Sequence, residues 1–134
     1  GRIEDAENSI DRAIAIAPRH VLARLVAARI SDVRGYPKAA HMQLEAAYTF
    51  APHVTEVIDR IDALRMRNEA DSLARKGDMK AALALLVAAL KHDGEDPVIH
   101  LRLADVLERI GDPKRARESR ERAVALAPSL IVEG

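Results

Sequence analysis

The chain has 134 residues, enough for one continuous core but not for two independent ones. Apolar residues make up 49% and aromatics only 2%, with no Trp and no Cys, so the core must be Ala, Leu, Ile and Val, and disulfides and thiolate metal sites are excluded. Acidic and basic residues number 21 each, and the zero net charge removes the electrostatic footprint of nucleic-acid or anionic-membrane binding.

Apolar residues recur at helical spacing along the whole chain, and strand-like alternation is absent. The first predicted helix, Arg2 to Ala17, aligns Ile3, Ala6, Ile10, Ala13 and Ala17 on one face and stops at Pro18. A second runs from about His20 to Arg34 and closes on Gly35, a residue suited to the left-handed conformation that ends a helix. Tyr36-Pro37 starts a third, since proline is tolerated in a first turn, and it reaches Phe50 ahead of Pro52. From His53 to Lys76 neither Pro nor Gly intervenes, which predicts one long helix ending at Gly77. Asp78 caps the next, Met79 to about Lys91, and residues 92–96 form the loosest connection. Pro97 opens a helix to Ile110, Gly111-Asp112-Pro113 repeats the turn chemistry, and a seventh helix ends near Ala127. The longest apolar stretch, Ala81 to Leu90, is half of what a bilayer span needs, so membrane insertion is not expected.

A ladder runs through these elements. Gly1, Gly35, Gly77 and Gly111 are each followed five residues on by an alanine (Ala6, Ala40, Ala82, Ala116) and twelve on by another (Ala13, Ala47, Ala89, Ala123). Nine on stand Ile10, Leu44, Leu86 and Arg120, and seventeen on Pro18, Pro52, Gly94 and Pro128. The glycines are 34, 42 and 34 residues apart, a period that marks a stacked repeat protein. These residues resemble the tetratricopeptide repeat family, although its tryptophan site is filled by Arg24, Met66 and His100. The resemblance implies an all-α, right-handed solenoid of antiparallel helix pairs with about seven helices. It divides the chain into a half repeat at 1–20, a repeat at 21–54, a lengthened repeat at 55–96 and a repeat at 97–130. The eight extra residues fall in the long helix, whose added turns carry Val54, Val57, Ile58 and Ile61; this stripe is expected to cover the preceding helix pair.

No catalytic constellation is present, so the chain reads as a non-enzyme without cofactor or metal. The five histidines lie on different helices or turns, and the arginines at 115, 117, 120 and 122 are interleaved with Glu118 and Glu121, a self-compensated solvated face. In the family the first helix of each repeat lines a concave surface where peptides lie. The resemblance thus places Leu22, Leu25, Arg29, Asp32 and Val33 on a groove, followed by Leu64, Arg67, Asp71 and Arg75, then Val98, Leu101, Asp105 and Arg109. Arg67–Asp71 and Asp105–Arg109 are spaced i, i+4 and read as mutually neutralising pairs, and the acidic inner row disfavours a terminal carboxylate ligand.

The ladder is already in phase at Gly1, so the chain reads as a segment of a longer protein. Ile3, Ile10 and Ile14 at one end and Leu130, Ile131 and Val132 at the other are candidates for homodimerisation through uncapped ends. The leading expectation is a scaffold that binds a peptide or helix of a partner protein in the groove. The alternatives are the recognition arm of a larger enzyme, such as a transferase, and self-assembly. Sixteen Arg against five Lys suggests a bacterial source; the cytoplasm is the favoured compartment, with the periplasm as the alternative.

Overall fold

Short turn signals and amphipathic runs of Ala and Leu leave this chain one way to bury its apolar surface, by packing each helix on its sequence neighbours. The computed structural model describes residues 21–127, together with Asp5. Six helices follow one another there: α1 (Val21–Val33), α2 (Pro37–Phe50), α3 (Thr55–Arg75), α4 (Met79–His92), α5 (Pro97–Ile110) and α6 (Pro113–Leu126). No strand occurs among the described residues. The tightest packing joins α1 with α2, α3 with α4 and α5 with α6, and α2–α3 and α4–α5 contacts stack the pairs into a solenoid. The helix expected at Arg2–Ala17 and the six residues proposed for self-association (Ile3, Ile10, Ile14, Leu130, Ile131, Val132) lie outside the described residues.

Three intra-pair turns are closed identically. Gly35, Gly77 and Gly111 have φ of 89°, 90° and 98°, the left-handed region that glycine enters without a Cβ penalty. The residue after each returns a hydrogen bond to the last helical turn: Tyr36 N–H to Ser31 O, Asp78 N–H to Leu73 O and Asp112 N–H to Leu107 O, at 2.8–2.9 Å. Helix starts are supplied by Asp78, Asp96 and Asp112, whose side chains accept from Ala81, Val98 and Arg115 N–H.

The alanine ladder is the contact surface of the stack. Ala40, Ala47, Ala82, Ala89, Ala116 and Ala123 are all essentially inaccessible, as are Ala28, Ala70 and Ala104 on the facing helices. Small side chains here let helix axes approach towards the short end of the roughly 8–10 Å range. At the position nine after the glycine, Leu44 and Leu86 are buried, whereas Arg120 turns to Glu108 at 2.7 Å.

The core has two lobes. Leu25, Ala28, Ala40, Leu44, Ala47, Val57, Ile61 and Leu64 form one, and residues of α3–α6 centred on Leu86, Ile99 and Leu103 form the other. The long α3 serves both, which accounts for its length: Val57 and Ile61 on its added turns are buried in the first lobe, and Ala63 and Ala70 in the second. Val54 and Ile58 from the same stripe remain 38% exposed.

Candidate functional site

The residues expected to line the groove occupy matching rows on α1, α3 and α5. One row is Leu25, Arg67 and Leu101; another is Arg29, Asp71 and Asp105; a third is Val33, Arg75 and Arg109. The structure divides these rows into a sealed part and an open part.

The sealed part lies at the seam between the two core lobes, around Arg67. Its Nη1 and Nη2 donate to the two oxygens of Asp32 on α1, each at 2.5 Å, and Nη1 also donates to Asp96 Oδ2 at 3.2 Å. Arg29 donates from Nη2 to both Asp93 oxygens, at 3.1 and 2.9 Å, and its Nη1 lies 3.2 Å from Asp96 Oδ1. Asp96 Oδ1 also accepts from Val98 N–H at 2.8 Å, so one carboxylate caps α5 and ties α1 and α3 to it. Arg67 Nε is buried without a hydrogen-bond partner, so the network falls short of full satisfaction.

Two guanidinium groups thus face three carboxylates. Burial pushes the Asp96 carboxyl above the ordinary aspartate range; Arg29 and Arg67 pull it down, and Asp32 and Asp93 add to the push. Burial works against the Arg67 charge, but the Asp32 hydrogen bonds and charge, then Asp96 and Asp71, outweigh it and hold this group above its ordinary range. Side chains so deeply engaged are occupied by one another.

The open part is a cleft of about 270 Å³ between α3 and α5. Ala70, Ala74 and Val106 with Leu86 of α4 form its apolar lining, and Asp71, Arg75, Arg102, Asp105 and Arg109 surround it. Arg102 Nε donates to Asp71, with oxygens at 3.2 and 3.3 Å. Arg75, Asp105 and Arg109 are exposed and make no ion pair among the described residues. The small residues of the ladder leave space here, and three of the five charges around it, Arg75, Asp105 and Arg109, are unspent.

The helix pairs, the three left-handed glycines and the buried alanines are now joined by a sequence match: residues 73–129 fit the family described as tetratricopeptide repeat. Over residues 73–129 the sequence is that of a tetratricopeptide repeat. Among solved structures it is similar to the one titled "Crystal structure of MamA", at 16% identity and a TM-score of 0.46 over 94% of this chain and 69% of that one. No curated protein sequence matches it. Tetratricopeptide repeats build surfaces for protein–protein contact, and the scaffold role is the one the family supports.

Within the repeats, the expected groove residues fare differently. Leu25, Asp32, Leu64, Arg67 and Val98 are buried; Arg29, Val33 and Leu101 are half-buried; Leu22, at 61% exposure, stands at the outer start of α1. Asp71, Arg75, Asp105 and Arg109 are brought together in the cleft. Neither expected i, i+4 pair forms. Arg67 reaches Asp32 and Asp96 because burial rewards bidentate partners, and Asp71 is left for Arg102 across the cleft. The α6 face also differs from the self-compensated reading, since Arg120 pairs with Glu108 and no Glu118–Arg122 pair forms.

Sequence reasoning did not find Asp93, Asp96 or Arg102. A signal existed for the first two: Arg67 stands where the other repeats carry Leu25 and Leu101, and a charge in a leucine row requires buried partners. The loop with Gly94 in place of proline was the unassigned segment carrying carboxylates. Arg102 had no such signal.

Proposed function

We propose that this chain is a scaffold that binds a segment of a partner protein in the cleft between α3 and α5. The observation that carries the reading is the set of unengaged charges there, Arg75 and Arg109 with Asp105, around an apolar lining of alanine, valine and leucine. An extended segment or helix with an apolar anchor and side chains of both signs complements such a surface. The tightly occupied network at Arg67 holds α1, α3 and α5 together and restricts binding to the open end of the rows. The experiment is selection from a displayed random-peptide library, followed by titration of the recovered peptides against the native chain and Arg75→Glu/Arg109→Glu. Selected peptides should carry both charge signs and lose binding to the variant. Peptides that bind both proteins equally would remove the cleft from the reading.

A further inference from the structure

The side of α5 facing away from the cleft forms a second groove, and its chemistry is different. On α5 the cleft uses Arg102, Asp105, Val106 and Arg109, while His100, Leu103 and Leu107 lie on the other side, roughly 140° around the helix at about 100° per residue. There α4 and α6 flank a groove of about 290 Å³ floored by Leu103 and Leu107. Leu83 and Leu90 line the α4 wall. Val87, placed between them by helical spacing, is 45% exposed.

The walls carry an excess of basic residues in a chain whose total charge is balanced, although one acidic residue, Glu118, stands in the lining beside Arg115 and Arg122. Helix α4 has no acidic residue and exposes Lys80 and Lys91. Helix α6 carries five basic residues, at 114, 115, 117, 120 and 122, against Glu118 and Glu121. Arg120 is held by Glu108, and Arg115 has only a distant contact with Asp112 at 3.9 Å. Arg122 lines the groove and makes no ion pair among the described residues. One repeat earlier the positions of Arg115, Ser119 and Arg122 hold Ala81, Leu85 and Ala88, and Leu85, Met66 and Leu73 all pack against the core. The α6 wall is therefore polar where the equivalent face of α4 is apolar.

We infer that the α4–α6 groove is a second docking surface, for an acidic amphipathic helix of a partner protein. A leucine-type stripe meets Leu83, Val87, Leu90 and the floor, and flanking carboxylates meet Arg115 and Arg122. The apolar floor selects a protein helix over a nucleic-acid backbone, which offers phosphates but no aliphatic face. The walls are already helices, so an added helix extends the existing mode of packing.

The probe is a labelled synthetic helical peptide with leucines on one face and flanking glutamates, compared with its lysine counterpart by fluorescence anisotropy at two salt concentrations. The glutamate peptide should bind, weaken with salt, and lose about tenfold or more in affinity on Arg122→Glu or Val87→Arg, both at exposed positions. The lysine peptide should fail, and Arg75→Glu/Arg109→Glu should leave binding intact. Equal binding of both peptides, or indifference to Arg122→Glu, overturns the assignment. So does an oligonucleotide that binds in an Arg122-dependent way while the peptide does not. Sedimentation of the chain alone as a dimer that Arg122→Glu dissolves would overturn it too, assigning the groove to a second copy through a face such as Val54 and Ile58 with Glu56 and Asp62.

Discussion

The seam around Arg67 and the cleft around Arg75 are both built from arginine and aspartate, yet one is closed and the other open. At the seam, α1, α3 and the start of α5 converge, and the largely buried charges hold one another across three helices. In the cleft, α3 and α5 flank a space lined by small side chains, and one ion pair, Arg102–Asp71, crosses between them. The difference teaches that an Arg–Asp row has no fixed role in this repeat stack. Its role is set by how many helices meet there.

The strongest test of the comparison is at the seam. Arg67→Leu installs the residue that the neighbouring repeats carry but leaves Asp32 buried without its bidentate partner, and should cost about 3–5 kcal/mol in urea unfolding. Adding Asp32→Asn and Asp96→Asn should restore most of that loss, because the penalty comes from uncompensated buried charge. A triple variant as unstable as Arg67→Leu alone would mean that the attraction itself holds the seam.

A smaller effect, on both regions alike, is expected at the turn that ends α5. Gly111→Ala has no clash to meet but must hold φ near 98°, at a cost of about 1–2 kcal/mol. The same loss of thermal stability should appear without change in peptide binding at the cleft.

Asp96 sharpens the contrast through pH. Its carboxyl titrates above the ordinary value of about 3.9, so the folded chain holds more protons than the unfolded one between that value and the raised one. Stability from this group is therefore present at low pH and lost as pH rises through the raised value. Asp96→Asn keeps an acceptor for Val98 N–H and balances the two arginines with two carboxylates. It should be at least as stable as the native chain at neutral pH, with its advantage shrinking on acidification through that window. An advantage that grows on acidification would reverse the assignment of burial as the dominant cause.

The smallest effect on folding belongs to the open part. Arg75→Glu/Arg109→Glu should shift stability by no more than about 0.5 kcal/mol while abolishing capture of the selected peptides. A large loss of stability would show that the charges of the cleft are tied into the fold like those of the seam.

Local chemistry determined much of this in the sequence alone. Glycines that must enter the left-handed region, prolines and aspartates that start helices, and alanines at a fixed period all act within a few residues or within one repeat, so helix limits and stacking were readable from spacing. The open cleft was half legible: Asp71, Arg75, Asp105 and Arg109 could be placed on matching rows, but not their partners. The partners of Arg67, the pairing of Asp71 with Arg102 and the groove opposite the cleft were decided only by tertiary structure. The ion pairs depend on residues about 30 or more positions apart meeting at a chosen distance from water. Spacing along one helix carries no information about that burial, and burial is what turns one arginine into a buttress and leaves another free to bind.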